Sequence, residues 1–143
     1  GVCSTANLEL VSSLGADRVV DYTQTDITSS GVTFDVVFDT VGALPLGKIK
    51  QMLRPSGRGV VAAGSLLDNI KAPIWSLKGD QKFFAGVASE AVDDMRLLAE
   101  MAEQGALKPV IDRVYPLDKI RQAHAHVGGG HKAGNVIVEF VQT

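Results

Sequence analysis

The sequence predicts an α/β fold in which strands and helices alternate around a mostly parallel sheet. Residues 34–40, FDVVFDT, form a nearly continuous apolar run between two aspartates. Such a run is typical of a strand buried on both faces of a parallel sheet. Residues 90–104 place apolar side chains three and four positions apart, which is helical spacing. Short apolar runs alternate with helical segments along the rest of the chain, and this alternation indicates βαβ units with helices on both faces of the sheet.

The other elements follow from the same two periodicities and from turn residues. Further strands are predicted at residues 18–22, 59–64, 82–87, 110–115 and 136–141. Helices are predicted at residues 6–14, with Ser4 or Thr5 as the cap, at 44–53, and at 116–127 before the glycine run 128–130. Residues 54–57, RPSG, have the composition of a turn, and residues 66–80 are predicted to form the longest irregular loop.

Composition limits the classes of function that this chain can have. Its 143 residues are 45% hydrophobic and 21% charged, as expected for one globular domain. A net charge of -2 without a run of Lys or Arg argues against a nucleic-acid or membrane partner. The single cysteine, Cys3, excludes an internal disulfide and a cysteine-based zinc cluster. No apolar run approaches the roughly 18 residues that span a bilayer, and we expect a cytoplasmic protein.

Ligands of open parallel sheets bind beyond the carboxyl ends of the strands. In this sequence, that rule selects four short segments, each of which follows or ends a predicted strand. They are residues 3–5 (CST), 40–42 (TVG), 63–65 (AGS) and 84–87 (FAGV). Each offers backbone groups or small side chains to a nucleotide cofactor.

Other residues that could carry chemistry have a simpler interpretation. Asp35 and Asp39 share one face of a predicted strand, but Asp39 is expected to anchor the following loop rather than form a catalytic pair. His124 and His126 are two positions apart on a predicted helix and therefore point away from each other. We predict no catalytic residue and no metal site in this chain.

Four segments carry a resemblance to a known family. They are VCSTANLELVSSLGADRVVDYTQTD, FDVVFDTVG, LRPSGRGVVAAG and ALKPVIDRVYPLDKIRQAHAHVGGGHKAGNVIVEF. In order and spacing they resemble the C-terminal part of a medium-chain dehydrogenase/reductase, within the zinc-independent quinone oxidoreductase branch. The resemblance covers nearly the whole chain. It implies that residues 1–143 form a Rossmann-like doubly wound domain that lacks its first strand and helix, without the N-terminal GroES-like catalytic domain.

The resemblance also implies an activity for the full-length protein. Such reductases transfer hydride from a nicotinamide cofactor to a small-molecule quinone, enone or carbonyl substrate. The glycine-rich turn that holds the pyrophosphate would lie upstream, so the chain alone is expected to be inactive. The resemblance further suggests a homodimer that forms through the sheet edge near residues 82–87.

Cofactor choice follows from the positions that match the family's 2′-phosphate site. An NAD-specific site places an acid there, whereas this chain has the hydroxyl residues Ser4 and Thr5. Tyr22 matches a tyrosine that similar reductases place near the phosphate, and Asn7 stands where relatives carry Lys or Arg. The resemblance therefore implies NADPH in preference to NADH. The other implied cofactor positions are Thr40 and Val41 beside the adenosine ribose, Gly64, Ser65 and Phe84 near the nicotinamide, and Lys132 and Asn135 before the last strand.

Two alternatives remain open from the sequence. One is an S-adenosylmethionine-dependent methyltransferase domain, because a strand, a helix and a proline-glycine turn also follow one another in that fold. The hydroxyl residues Ser4 and Thr5, and the ending HKAGNVIVEF, fit it poorly. The other is a non-catalytic assembly domain, because loss of a central strand would leave two sheet edges unpaired and open to a partner chain.

Overall fold

A computed structural model describes residues 1–86, 91–130 and 132–140 of the chain. The chain divides into two compact units, Gly1–Ser89 and Glu90–Thr143, and each is described by itself. Every strand pair in the described residues is parallel, which confirms the predicted α/β class. The assignment of the whole chain to one domain stays a prediction.

The first unit begins with a two-stranded sheet. Strand β1 (Val2–Cys3) pairs with strand β2 (Val20–Asp21), and Cys3 lies opposite Asp21. Between these strands the chain forms a 3-10 turn (Thr5–Asn7) and helix α1 (Leu8–Ser13). The parallel register brings the residues that follow both strands to one edge of the sheet.

A three-stranded sheet forms the rest of the first unit. Its elements in chain order are β3 (Phe34–Asp39), α2 (Leu46–Met52), β4 (Leu53–Val61), α3 (Leu66–Lys78) and β5 (Lys82–Ala85). The strands lie in the order β3-β4-β5. Among the described residues they are not hydrogen-bonded to the β1-β2 sheet. The strands predicted at 34–40, 59–64 and 82–87 and the helix predicted at 44–53 are therefore present, with shifted ends; Val87 lies outside the described residues.

Helices α2 and α3 cover one face of this sheet and form its core. Ile49 of α2 is completely buried, and its neighbours in the core are Leu46, Leu53, Val61, Ala72 and Phe83. Trp75 of α3 packs edge-on against Phe83 with the ring centroids 5.8 Å apart. Burial of each large apolar side chain of this kind stabilises a fold by roughly 1.5–3 kcal/mol. The core therefore supports the three strands on the face that α2 and α3 cover.

The opposite face of the same sheet is open. Val36 and Phe38 of β3 are 57% and 61% exposed, and Phe84 of β5 is 55% exposed. Phe38, Val60 and Phe84 lie opposite one another and form a single row across the three strands. The prediction that residues 34–40 are buried on both faces is therefore wrong for the described structure, because α2 and α3 cover only the face that carries Phe83.

Helix α3 corrects the prediction of an irregular loop at residues 66–80. A capping box starts the helix, since the Ser65 hydroxyl accepts a hydrogen bond from the Asp68 backbone N–H and the Asp68 carboxylate accepts from Ser65. Pro73 lies inside the helix. Several large apolar side chains of α3 point to solvent, whereas the small Ala72 is buried. The apolar pattern therefore does not mark the buried face, and Pro73 is a residue type that is rare inside helices.

The turn predicted at residues 54–57 is a register shift inside β4. Phe34 lies opposite Leu53, but Val36, two residues later, lies opposite Arg58. The extra residues of β4 bulge out between these pairs, and Ser56 adopts a positive φ of 62°. The turn-like composition of residues 54–57 therefore marks a bulge, and β4 continues on both sides of it.

The second unit contains a parallel strand pair and two helices. Its elements are α4 (Val92–Glu103), β6 (Ile111–Pro116), a 3-10 turn (Leu117–Lys119), α5 (Ile120–Gly128) and β7 (Asn135–Glu139). They confirm the helices and strands predicted there. Two ends differ, since Pro116 closes β6 rather than starting a helix, and Asn135 begins β7 rather than preceding it. Asn135 joins the strand because its backbone N–H donates to the Val110 carbonyl at 2.7 Å.

Candidate cofactor site

Asp39 organises the loop that follows β3. Its carboxylate is buried, with 7% of the residue exposed. One oxygen accepts the backbone N–H groups of Val41 at 3.1 Å and Gly42 at 2.9 Å, and the other accepts that of Leu44 at 2.9 Å. The predicted anchoring role of Asp39 is confirmed. Thr40 and Val41 are both exposed and stand on this fixed loop.

Gly42 brings the loop after β3 against the loop after β4. Its φ is +70°, which disfavours any residue with a side chain. A Cβ at this position would also collide with the carbonyl oxygen of Ala63. The two neighbouring segments selected from the sequence, 40–42 and 63–65, are therefore in contact.

The loop after β4 leads directly into α3. The Ser65 hydroxyl donates to the Asp68 carboxylate at 2.7 Å, and the Ser65 backbone N–H donates to the same oxygen at 3.0 Å. These bonds lower the pKa of Asp68, with the bond from the Ser65 hydroxyl as the largest cause. Ser65 is thus engaged as a helix cap. A Cβ added at Gly64 would lie 3.3 Å from Val61 and 3.6 Å from Ala85, so the ends of β4 and β5 approach each other here.

Phe84 lies one residue before the end of β5 and faces away from the covered side of the sheet. Its neighbour Phe83 is buried in the core, whereas Phe84 belongs to the exposed row with Phe38 and Val60. Phe84 therefore presents an aromatic side chain beside the edge at which the strands end. The structure brings Thr40, Val41, Gly64 and Ser65 to that same edge.

Ser4, Thr5 and Tyr22 follow the strands of the two-stranded sheet. The Thr5 hydroxyl donates to Asp21 Oδ2 at 2.5 Å, and the Tyr22 backbone N–H donates to the Cys3 carbonyl at 3.1 Å. The Tyr22 side chain is exposed. Ser4 precedes the 3-10 turn but makes no side-chain capping bond there. These three residues therefore lie at one edge of the two-stranded sheet.

Asp21 is a residue of this region that the sequence did not single out. It ends β2 and accepts hydrogen bonds from Thr5, from Thr23 and from Gln24. The signal in the sequence is an acid one residue before the end of a predicted strand, with the polar residues 23–26 directly after that strand. Recognising its contact with Thr5 required the pairing of Cys3 with Asp21 across the two strands.

Lys132 and Asn135 belong to the second unit and are engaged locally. Lys132 Nζ donates to the Gly134 carbonyl at 2.9 Å, and the Asn135 side chain donates to the Val110 carbonyl at 3.2 Å. The second unit also contains a pair that the sequence did not reveal. His126 Nε2 lies 2.6 Å from Asp112 Oδ2, and the hydrogen bond from His126 is the main cause of the lowered pKa of Asp112.

Two features are absent from the residues that the structure describes. Residues 1–86, 91–130 and 132–140 contain no group of three or more His, Cys, Asp or Glu side chains that could hold a metal ion. No helix in these ranges is both long enough and apolar enough to cross a bilayer.

The family of the chain follows from its match to a known family model. The model described as zinc-binding dehydrogenase matches residues 14–138, and the chain therefore belongs to the zinc-binding dehydrogenase family. This result confirms the resemblance stated from the sequence motifs.

Individual relatives are oxidoreductases by name. The NADPH-dependent alkenal/one oxidoreductase, chloroplastic, of Arabidopsis thaliana is 30% identical over 137 residues, which are 94% of this chain and 32% of that protein. Quinone-oxidoreductase QR1, chloroplastic, of Triphysaria versicolor is 28% identical over 142 residues, which are 96% of this chain and 43% of that protein. These matches do not favour the methyltransferase alternative.

Solved structures confirm the fold. The quinone oxidoreductase from Coxiella burnetii superposes with a TM-score of 0.74 at 19% identity, covering 98% of this chain and 44% of that chain. At this identity the likeness supports a Rossmann-like fold and nothing finer. The chain spans between about a third and somewhat less than half of the length of these three proteins.

Proposed function

We propose that this chain is the cofactor-binding part of an NADPH-dependent oxidoreductase that transfers hydride to a quinone, an enone or another carbonyl compound. One observation carries the proposal. The buried Asp39 and the close approach of Gly42 to Ala63 fix two adjacent loops at the carboxyl edge of a parallel sheet, where nucleotide cofactors bind. Membership of the zinc-binding dehydrogenase family and the names of the relatives support the reaction class.

The residues at this edge fit a dinucleotide. Small residues line the contact between the loops, since a Cβ at Gly42 would collide with the backbone of Ala63. In the proposal, Thr40 and Val41 contact the adenosine ribose, while Gly64, Ser65 and Phe84 lie near the nicotinamide. The Ser65 N–H and hydroxyl already donate to Asp68, and its carbonyl accepts the backbone N–H groups of Asp68 and Asn69. Its contact with the nicotinamide carboxamide would therefore use the remaining lone pair of the hydroxyl oxygen. The bound nicotinamide would supply the hydride, and the protein's residues would orient it.

The NADPH preference rests on the edge of the β1-β2 sheet. Ser4, Thr5 and Tyr22 are the residues proposed to contact the 2′-phosphate. Tyr22 presents an exposed phenol, and the Ser4 hydroxyl makes no capping bond to its helix. The name of the Arabidopsis thaliana relative, an NADPH-dependent enzyme, agrees with this choice. Asn135 is proposed as a further polar contact to the cofactor.

The homodimer is proposed to form through β5. Among the described residues, β5 bonds only to β4 and leaves its other edge unpaired. An unpaired strand edge offers backbone N–H and C=O groups to a second copy. The proposed location of the protein is the cytoplasm, and a fluorescent fusion seen in an organelle would contradict it.

Cofactor binding and turnover test the proposed function. Isothermal titration of the full-length protein should show binding of NADPH, with a weaker signal for NADH. Oxidation of NADPH, followed by the loss of its absorbance, should then require a quinone or an enone. Absence of binding for both cofactors would contradict the proposal, as would binding of S-adenosylmethionine in their place.

A further inference from the structure

Asp21 forms the centre of a hydrogen-bonded cluster at the edge of the β1-β2 sheet. Its Oδ1 accepts the backbone N–H of Thr23 at 2.9 Å and the Thr23 hydroxyl at 2.7 Å. Its Oδ2 accepts the Thr5 hydroxyl at 2.5 Å and the side-chain amide of Gln24 at 3.0 Å. The cluster joins Thr5, two residues after β1, to Asp21 at the end of β2 and to Thr23 beyond it, which are 16 and 18 positions away in the chain.

The cluster uses the hydrogens of both threonine hydroxyls. A hydroxyl has one hydrogen to donate and two lone pairs that accept. The Thr5 and Thr23 oxygens are 3.1 Å apart, and each also lies within hydrogen-bond distance of Asp21. Both hydroxyl hydrogens are therefore already donated within the cluster. What Thr5 still offers to a ligand is a lone pair, which can accept a hydrogen bond from a ribose hydroxyl but cannot donate to a phosphate.

The carboxylate of Asp21 is charged at neutral pH. The hydrogen bonds that it accepts lower its pKa, and those from the hydroxyls of Thr23 and Thr5 are the largest causes. No cation is among the groups that bond to it in this cluster. Its negative charge is thus stabilised by neutral donors and is not cancelled by an opposite charge.

We infer that Asp21 is a specificity-determining residue that weakens binding of a 2′-phosphorylated cofactor at this edge. A phosphate oxygen that took the place of a ribose hydroxyl about 2.8 Å from Thr5 Oγ1 would lie within about 5.3 Å of Asp21 Oδ2. A phosphate monoester carries a charge of about -1.5 to -2 at pH 7, so it is repelled at that separation even in water. NADH, which has a ribose hydroxyl there, avoids this repulsion and can donate to Thr5.

This inference rests on the proposed nicotinamide site and refines its cofactor choice. Phosphate recognition falls to Ser4 and Tyr22, while Asp21 opposes it. The preference for NADPH is therefore smaller than the hydroxyl residues alone would produce. Removal of the negative charge should increase that preference.

Asp21→Asn is the variant that tests the inference. Asparagine keeps the shape of the side chain and removes the charge, and its amide can donate to Thr5 so that the threonine hydrogen becomes free for a phosphate. Asp21→Ser removes the same charge with a different side chain and serves as a second variant. Asp26→Asn is the matched control, because Asp26 lies in the same loop region and bonds only to residues of its own 3-10 turn, such as Thr28.

The measured quantity is the ratio of the Kd of NADH to the Kd of NADPH, obtained by isothermal titration of the full-length protein. In Asp21→Asn this ratio should rise about tenfold over the unsubstituted protein, which corresponds to about 1.4 kcal/mol. Asp21→Ser should raise it in the same direction, and Asp26→Asn should change it less than twofold. In the double variant D21N/T5V the part of the gain that comes from the freed hydroxyl should be lost. A ratio is insensitive to a general loss of folded protein, since such a loss affects both cofactors alike.

The outcomes separate this inference from the proposed function. If both cofactors bind and neither Asp21 variant changes the ratio more than Asp26→Asn does, the inference is wrong and the nicotinamide site stands. An equal rise in Asp26→Asn would also overturn it, because the effect would then be one of net charge. If no form of the protein binds either cofactor, the proposed function is wrong and the inference falls with it.

Discussion

Asp39 and Asp21 occupy equivalent positions at the ends of two parallel strands, but they have different roles. Each ends a parallel strand, and each accepts hydrogen bonds from at least three residues. Asp39 is buried and accepts only backbone N–H groups of its own loop, whereas Asp21 is less buried and accepts mainly side-chain groups from two loops. Backbone groups cannot leave the loop, so Asp39 fixes the path of the chain. The side chains that bind Asp21 can rotate away from it, so Asp21 does not fix the path of the chain. It instead determines which hydrogen-bonding groups a ligand meets at this edge.

The largest effect is expected from removal of Asp39. Asp39→Ala leaves three backbone N–H groups without their acceptor, and we expect the free energy of unfolding to fall by about 3 kcal/mol. Urea unfolding measures this change. Asp39→Asn, which keeps one carbonyl oxygen, should lose about half as much. A loss below about 1 kcal/mol for Asp39→Ala would show that solvent replaces the carboxylate and that the loop is not fixed by it.

Gly42→Ala tests how much the close contact between the Asp39 loop and Ala63 contributes to the free energy of unfolding. Gly42→Ala and Gly31→Ala both place a side chain at a positive φ, +70° and +69°, but only the first meets backbone atoms. Gly31→Ala should cost about 1 kcal/mol, which is the penalty of the left-handed conformation. Gly42→Ala should cost about 2 kcal/mol more, because the clash with Ala63 is added. Equal losses in the two variants would mean that the two loops separate without cost.

The acid dependence of stability distinguishes Asp21 from a neutral acceptor. Its pKa in the folded chain lies below the usual value of an aspartate, because it accepts hydrogen bonds from Thr23 and Thr5. A carboxyl with a lowered pKa stabilises the fold above its unfolded pKa and loses that contribution as the pH falls through its folded pKa. Urea midpoints of the unsubstituted chain should therefore fall more steeply below about pH 4 than those of Asp21→Asn. Parallel curves would show that Asp21 does not hold its hydrogen bonds in solution.

The smallest effect is expected from Asp35, at the opposite end of the strand that carries Asp39. Asp35 forms an ion pair with Arg54 at 2.8 Å, and both side chains are well exposed. An exposed pair of this kind contributes about 0–1 kcal/mol, so Asp35→Asn should change the free energy of unfolding by less than about 0.5 kcal/mol. A larger loss would show that the register shift in β4, next to Arg54, depends on this pair.

The sequence indicated some of these features because they are local. An apolar run followed directly by an aspartate and a glycine was enough to predict β3 and the anchoring role of Asp39. The cluster around Asp21 could not be predicted in the same way, because Thr5 and Asp21 meet only through the pairing of β1 with β2.

Helix α3 and the open face of β3 were not predicted because apolar residues there are exposed. A hydrophobic pattern indicates a buried face only when the apolar residues are in fact buried. In α3 the leucine and isoleucine side chains lie outside, whereas Ala72 is buried and Trp75 packs against the core. In β3 the side chains of Val36 and Phe38 are apolar but exposed, so the continuous apolar run predicted a second covered face that the described structure does not have.

Trp75 gives the first unit a spectroscopic label of its own. It is the single tryptophan of the chain, and it packs against Phe83 beneath the amine of Lys50. Its fluorescence emission therefore reports the loss of the core that supports the Asp39 loop, without any added dye. The second unit contains no tryptophan, so its unfolding contributes little to that emission. Its one tyrosine is Tyr115, and a Tyr22→Phe variant would leave the weaker tyrosine signal to report the second unit alone. One chain thus carries two intrinsic optical signals, and a single titration can show whether the two units melt together or in sequence.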